Sequence, residues 1–297
     1  MCGVFGIWKP DHINQDDIRY AHQANEMMIN RGPDAGGIYS DQHCLLAHRR
    51  LSILDLQSSA NQPMSDVTGQ YHLVYNGELY NFQELRANLV KLGVSFLTQG
   101  DTEVVLHSLI SQGQDALSSF QGMFALAFYD KKKGQLLLAR DAMGQKPLYY
   151  SLQSGYGIFA SQFDQIHRYP AFGPVKIDSQ GLSEFIAHGY NSWPQTMLQG
   201  IRMLKPGSFC LLSQKGQPRE ADYFSLRSRP QGKERKDLLE VLTQAVHSHL
   251  VSDVPVGTFL SGGYDSAVIN ALVKKNSADL QAFTVSRPGK DDEGPQA

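Results

Sequence analysis

The apolar positions of this chain change period several times, and each change marks an element. Residues 2–8, from Cys2 to Trp8, form a mostly apolar run that predicts a buried strand. Over 16–28 the residues Ile18, Ala21, Ala24 and Met28 fall at helical spacing, with Asp16 or Asp17 placed to cap the start. Leu45-Leu46-Ala47 and His72-Leu73-Val74-Tyr75 read as strands. A helix over 81–92 carries Leu85, Leu89 and Leu92 on one face and stops before Gly93; another covers 102–111. Residues 124–129 and 135–139 pair as a hairpin across Lys131-Lys132-Lys133-Gly134, and short strands follow at 149–151 and 157–160. Strands and helices mixed in this way predict layered sheets flanked by helices.

The pattern breaks near Ser213. Residues 214–236 are polar and charged, with two prolines and two glycines, and read as a linker. Beyond it, 236–250 carries Leu238, Leu239, Leu242, Ala245 and Val246 at helical spacing. A buried strand over 255–260, a helix over 266–275 and a strand over 280–285 then make one βαβ unit, the start of a parallel sheet. The expected division is therefore 2–213, a linker 214–235, and 236–297. A parallel sheet of two strands cannot bury both faces, so the last segment is expected to be poorly stable alone.

Composition narrows the class without naming a function. With 297 residues, 41% hydrophobic and 19% charged, the chain is ordinary for a folded protein and long enough for two cores. A net charge of −2 gives no electrostatic case for nucleic acid. Cys2, Cys44 and Cys210 are far apart and odd in number, which argues against a disulfide framework or a zinc site and for a reducing cytoplasm. No apolar run is long enough to span a bilayer, and Met1-Cys2 begins no signal segment.

Cys2 follows only the initiator Met1, which is trimmed when the next residue is small. Trimming puts a thiol and an α-amine titrating near ~8 on one residue, a nucleophile beside its own base. A lone cysteine is also a common core residue, so position alone does not decide. A thiolate attacking a carboxamide needs oxyanion donors and an anchor for the charged end of its substrate. Asn76-Gly77 offers a side-chain amide and a backbone N–H just after a strand, although Asn-Gly is equally a turn signal. Arg50 offers a fork for a carboxylate, or a surface ion pair. Asp101 could hold an ammonium and could also cap the following helix. A second candidate is Ser261-Gly262-Gly263-Tyr264-Asp265-Ser266, between strand and helix. Its glycines, hydroxyls and helix N-terminus suit an anion, and it lacks the ending of a Walker A loop.

Taken together, Cys2-Gly3-Val4-Phe5-Gly6, Arg31-Gly32-Pro33-Asp34, Ala47-His48-Arg49-Arg50-Leu51-Ser52-Ile53, Gln62-Pro63-Met64, Tyr75-Asn76-Gly77-Glu78 and Gly100-Asp101-Thr102-Glu103 resemble class II glutamine amidotransferases. With Gly122-Met123-Phe124-Ala125, Ala139-Arg140-Asp141, Gly144 and Lys146-Pro147-Leu148-Tyr149 added, all in family order, the chain most closely resembles the glutamine-hydrolysing asparagine synthetases. The resemblance implies an α+β N-terminal nucleophile αββα sandwich, followed by an incomplete α/β ATP-pyrophosphatase domain of the adenine nucleotide α-hydrolase type. It implies Cys2 as nucleophile, Asn76 and Gly77 as oxyanion hole, and Arg50, Ile53, Glu78 and Asp101 as glutamine pocket. Arg31 would stand behind that pocket on a closing loop. Leu260, Ser261, Gly262, Gly263, Asp265, Ser266 and Val285 would bind ATP, with Asp265 acting through Mg²⁺. Glutamine, ATP and a carboxylate acceptor, aspartate first, are the implied partners, and a homodimer the implied assembly. A sugar uronate, a β-lactam precursor, or a non-catalytic remnant are the alternatives. The later synthetase motifs have no counterpart, so a fragment or a truncated gene product is expected.

Overall fold

The computed structural model describes residues 1–153, 155–214, 216–226, 237–276, 281–286 and 294. Much of the expected linker, together with Lys236 and Leu280, lies outside them. The chain divides into two units, Met1–Arg229 and Pro230–Ala297.

In the first unit the strands run in the order β1 (Gly3–Trp8), β2 (Ala35–Ser40), β3 (Cys44–Arg50), β4 (Met64–Ser65), β5 (Tyr71–Leu79), β6 (Gly122–Asp130) and β7 (Gln135–Arg140). They continue with β8 (Tyr149–Gln153), β9 (Tyr156–Ala160), β10 (Arg202–Met203), β11 (Ser208–Ser213) and β12 (Arg219–Asp222). Helices α1 (Gln15–Met27), α2 (Phe82–Lys91), α3 (Asp101–Gln112), α4 (Asp164–His167) and α5 (Ser179–His188) are interspersed. Two six-stranded sheets result, β10-β8-β9-β1-β3-β2 and β12-β11-β7-β6-β5-β4. Every pairing in them is antiparallel.

Side-chain alternation explains the layers. In β1, Val4 and Trp8 enter a core shared with Val74, Ala127, Leu138 and Cys210 of the other sheet. Phe5 and Ile7 point the opposite way, onto Tyr20, Ala21 and Ala24 of α1. On the outer face of the second sheet, Leu73, Tyr75 and Phe124 pack with Leu89 of α2 and Val104, Val105 and Leu109 of α3. Three cores separate four layers, helix–sheet–sheet–helix. Both faces of each sheet are covered, and the central strands therefore read as continuous apolar runs rather than alternating ones.

Several elements differ from expectation. The cap of α1 is Asn14: its side chain accepts from the Asp17 N–H at 3.0 Å while the Asp17 carboxylate accepts from the Asn14 N–H at 2.8 Å. The helix starts before Asp16, so Asp17 takes the third position of a reciprocal capping box and neither aspartate is the cap. Strand β5 continues through Asn76-Gly77 to Leu79, so this Asn-Gly is not a turn. Inside the polar stretch read as linker, β12 pairs with β11 as Ser208↔Asp222 to Leu211↔Arg219. As an edge strand with largely exposed side chains, it carries no apolar signal.

In the second unit, α6 (Leu238–Ser248), β13 (Gly257–Phe259), α7 (Tyr264–Asn276) and β14 (Gln281–Phe283) form the expected βαβ unit, with β13 and β14 parallel. The strand expected over 255–260 to be buried is not: Phe259 is 81% exposed, and Phe283 of the neighbouring strand is exposed as well. The described residues supply two strands and one helix against them, α7, whose Asn270 accepts from the Thr258 hydroxyl and donates to the Phe259 carbonyl. Among the described residues no helix is long and apolar enough to cross a membrane.

Candidate active site

Four elements of the first unit converge on one cavity of about 250 Å³: the residue before β1, the end of β3, the outer half of β5 and the start of α3. All seven expected residues of that half line it, namely Cys2, Arg50, Ile53, Asn76, Gly77, Glu78 and Asp101.

Cys2 Sγ accepts from the Leu51 N–H at 3.4 Å, and the Cys2 carbonyl accepts from Arg31 Nε at 3.0 Å. Burial pushes the thiol above its ordinary value, against the pull of the Leu51 N–H and the Arg50 charge. The resting sulfur is thus protonated and needs a base. Burial pushes the Met1 α-amine the other way, below its ordinary value, and the Lys146 and Arg31 cations add to that effect.

The free edge of β5 supplies two donors. Along a strand, alternate backbone groups face the same side. The Tyr75 N–H donates to Gln62 Oε1 at 2.6 Å and the Leu79 N–H to Asp101 Oδ2 at 2.9 Å, both on the side away from β6. Gly77 lies midway between them on that edge. Its partner on β6, Phe124, turns both its backbone groups to Asp141: its N–H donates to Asp141 Oδ2 at 3.1 Å and its carbonyl accepts the Asp141 N–H at 2.8 Å. The Gly77 N–H therefore faces the cavity. Asn76 is 1% exposed, and its Nδ2 has no hydrogen-bond partner among the described residues. A Cβ at position 77 would meet the Met123 carbonyl oxygen at 2.5 Å and Phe124 Cβ at 2.7 Å, so the strand approach requires glycine.

Asp101 is the first residue of α3, with Gly100 at the cap position, so its carboxylate does not cap the helix. It accepts from the Tyr75 hydroxyl at 3.0 Å and from the Leu79 N–H. Burial, with Glu78 nearby, pushes its carboxyl up to about 6 despite those two bonds. Arg50 is 5% exposed and makes no ion pair among the described residues. Its Nη1 donates to the Gln57 carbonyl and Asn61 Oδ1, each at 2.9 Å, and its Nη2 to the Leu54 and Asp55 carbonyls. The cation is thus held by neutral acceptors.

In the second unit, Ser261 to Ser266 form a glycine loop leading into α7. The Ser266 hydroxyl accepts from the Ser261 N–H at 3.1 Å and donates to the Gly263 carbonyl at 3.0 Å, closing the loop on itself. Leu260 donates its N–H to the Phe283 carbonyl at 2.9 Å, and Val285 is 83% exposed. Among the described residues no group of His, Cys, Asp and Glu is gathered to hold a metal. Asp265, one exposed carboxylate, fits a single contact to a Mg²⁺ carried by phosphates and not a cation cage.

A family profile described as glutamine amidotransferase domain matches residues 1–224. The chain belongs to that family. A second profile, described as asparagine synthase, matches residues 237–297. The amidotransferase chain is 34% identical over 291 residues to asparagine synthetase [glutamine-hydrolyzing] 1 of Bacillus subtilis, covering 96% of this chain and 46% of the relative. It is 34% identical over 314 residues to asparagine synthetase B [glutamine-hydrolyzing] of Escherichia coli, covering 98% and 50%. The chain thus spans about half the length of the curated relatives it matches. Among solved structures, a glutamine phosphoribosylpyrophosphate amidotransferase from B. subtilis aligns with a TM-score of 0.53 at 18% identity, over 97% of this chain and 68% of that one. At that identity the likeness speaks for the fold, the N-terminal nucleophile sandwich.

Gln62, Tyr75 and Lys146 also line this amidotransferase cavity; the sequence shows them within motifs and assigns them no role in the site. Lys146 is 7% exposed, and burial pushes its ammonium below the ordinary value while Glu78 and Cys2 pull it back. The loop that carries it is tied by Asp141, whose carboxylate accepts from the N–H groups of Phe124, Met143, Gln145 and Lys146. The sequence signal for Lys146 is the Lys146-Pro147-Leu148-Tyr149 motif, which marks the position without stating a role.

Proposed function

We propose that the first unit hydrolyses glutamine to glutamate and ammonia. The observation that carries this reading is the sharing of one cavity by a thiol, an unpartnered buried amide and an unpaired backbone N–H. Removal of Met1 would place the α-amine on Cys2. The thiol proton passes to that amine as Sγ bonds to the side-chain amide carbon of glutamine. Asn76 Nδ2 and the Gly77 N–H support the oxyanion, as donors aimed at developing charge. The carbon–nitrogen bond then breaks, the amine returns its proton to the departing ammonia, and a γ-glutamyl thioester remains. Water cleaves it to glutamate and the free thiol.

The charges suit the substrate. Arg50 supplies the positive charge for an α-carboxylate, while Asp101 and Glu78 supply negative charge for an α-ammonium. A cavity of about 250 Å³ suits an amino acid rather than a drug-sized ligand, which needs ~300–1,000 Å³. For the second unit we propose ATP at Ser261 to Ser266, with Leu260 and Val285 beside it and Asp265 touching Mg²⁺ carried by the phosphates. The names of the relatives favour aspartate as ammonia acceptor over a uronate or a β-lactam precursor.

The test is ammonia release from glutamine by the full chain and by Cys2→Ala, with intact mass recorded. Release by chain lacking Met1 and its loss in the variant support the reading. Activity that survives Cys2→Ala would sink it.

A further inference from the structure

The oxyanion donors lie on a strand whose outer edge has no backbone partner among the described residues where they sit. Strand β4 covers that edge only at Met64↔Leu73 and Ser65↔His72. Continuing the register puts Pro63 opposite Val74 and Gln62 opposite Tyr75. The strand pairing ends at Met64, and the backbone of Gln62 makes no bond to Tyr75 among the described residues. The Gln62 side chain takes over. Its Oε1 accepts the Tyr75 N–H at 2.6 Å and its Nε2 donates to the Tyr75 carbonyl at 3.1 Å, the two bonds that a strand residue would make. The same carbonyl accepts a second bond from His48 Nε2 at 3.1 Å. Gln62 is 6% exposed and His48 fully buried, so neither bond competes with water. His48 is neutral, since burial pushes it down to about 3, and its proton sits on Nε2 because a carbonyl can only accept.

The peptide groups clamped in this way flank Tyr75, the residue before Asn76-Gly77. One repeat further along the same edge, Asp101 fixes the Leu79 N–H. The Gly77 N–H is thus suspended between two pinned points, and its own partner position is left open. A backbone strand paired along the whole edge would consume that N–H; an unpaired strand would let it wander.

We propose that Gln62, assisted by His48, is a positioning residue that substitutes its carboxamide for a missing strand, holding Asn76 and Gly77 in place while keeping the Gly77 N–H free for the reacting oxygen. This rests on the glutaminase reading above. The clamp touches neither substrate nor reacting atoms, so its effect belongs to the transition state and not to glutamine binding.

The test compares the full chain with Gln62→Met, which keeps the side-chain length and removes both bonds. Two quantities are measured: amide hydrogen exchange at Tyr75, and kcat and KM for ammonia release. The clamp predicts exchange at Tyr75 faster by about tenfold. It predicts kcat lower by about 10- to 100-fold with KM within about twofold, because misplacing a donor costs the chemical step. A kcat within about twofold of wild type, or a loss confined to KM, would overturn it. Should Gln62→Met fail to fold, Gln62→Glu keeps an acceptor for the Tyr75 N–H, loses the donor to its carbonyl, and is held to the same kcat and KM outcomes. Ammonia release absent from the wild type would count against the glutaminase reading. In that case unchanged Tyr75 exchange in Gln62→Met still overturns the clamp, and faster exchange still supports it.

Discussion

Asp101 shows how one buried carboxyl can serve recognition at a cost to the fold. Its carboxyl sits at about 6, above the ~3.9 of an unfolded chain, so the folded protein binds this proton more tightly. The contribution of Asp101 to stability therefore falls as pH rises from about 4 to about 6, and ionised Asp101 is a burden that an α-ammonium would relieve. Lowering the pH from 7 to 5 should raise KM for glutamine by about tenfold, as the ionised fraction drops tenfold per unit below the pKa. A KM flat over that range would remove Asp101 from substrate binding. The sequence offered Asp101 two roles, ammonium partner and helix cap, and only the structure rejects the cap, because α3 begins at Asp101 with Gly100 before it. Asn76 and Gly77 were legible as a pair. That they lie inside a strand was not, since Asn-Gly carries a strong turn preference that the pairing of β5 with β6 overrides.

At the scale of elements, α3 is anchored by the other carboxylate of its first turn. Glu103 accepts from the Leu97 N–H, and from the Thr98 N–H at 2.7 Å and the Thr98 hydroxyl at 2.6 Å, tying the preceding loop to the helix. Burial pushes this carboxyl up, but His107, Thr98 and the Leu97 N–H outweigh it and hold it at about 2. The sign is opposite to that of Asp101: Glu103 stabilises above the unfolded value of ~4.3, and the effect is lost as pH falls towards 2. Glu103→Gln should destabilise the first unit by about 1–3 kcal/mol at pH 7, with the difference narrowing below pH 4. Both tryptophans, Trp8 and Trp193, lie in this unit, so fluorescence-monitored urea unfolding reports it selectively. Equal loss at pH 7 and pH 2.5 would show that the effect is packing and not charge. Most helices and central strands were legible from period, whereas β2, β11, β12, the short β4 and β10, and the helices α4 and α5 were not. Edge strands of two to four residues lack enough alternation to be seen.

Across the whole molecule the two units differ in how much they bury. The first has three separate cores, and its central strands are covered on both faces. In the second, Leu238, Leu239, Val241 and Leu242 of α6 are exposed along with Phe259 and Phe283, while Leu272 and Val273 are buried. A two-stranded sheet with one helix against it has little to hold it. In the full chain, amides of β13 and β14 should exchange at rates near those of an unfolded chain, while those of β5 and β6 remain protected. Equal protection, read by hydrogen-exchange mass spectrometry, would mean that the exposed faces are covered in solution.

The sequence by itself determined most of the element order, the layered class, and seven members of the cavity, because apolar period and a set of ordered motifs are local properties. Tertiary structure alone decided what each member faces. Whether the Gly77 N–H is free depends on Phe124 being turned towards Asp141, and on Gln62 standing where a strand ends. Those relations join residues far apart in the chain, and no local pattern encodes a hydrogen bond that is left unmade.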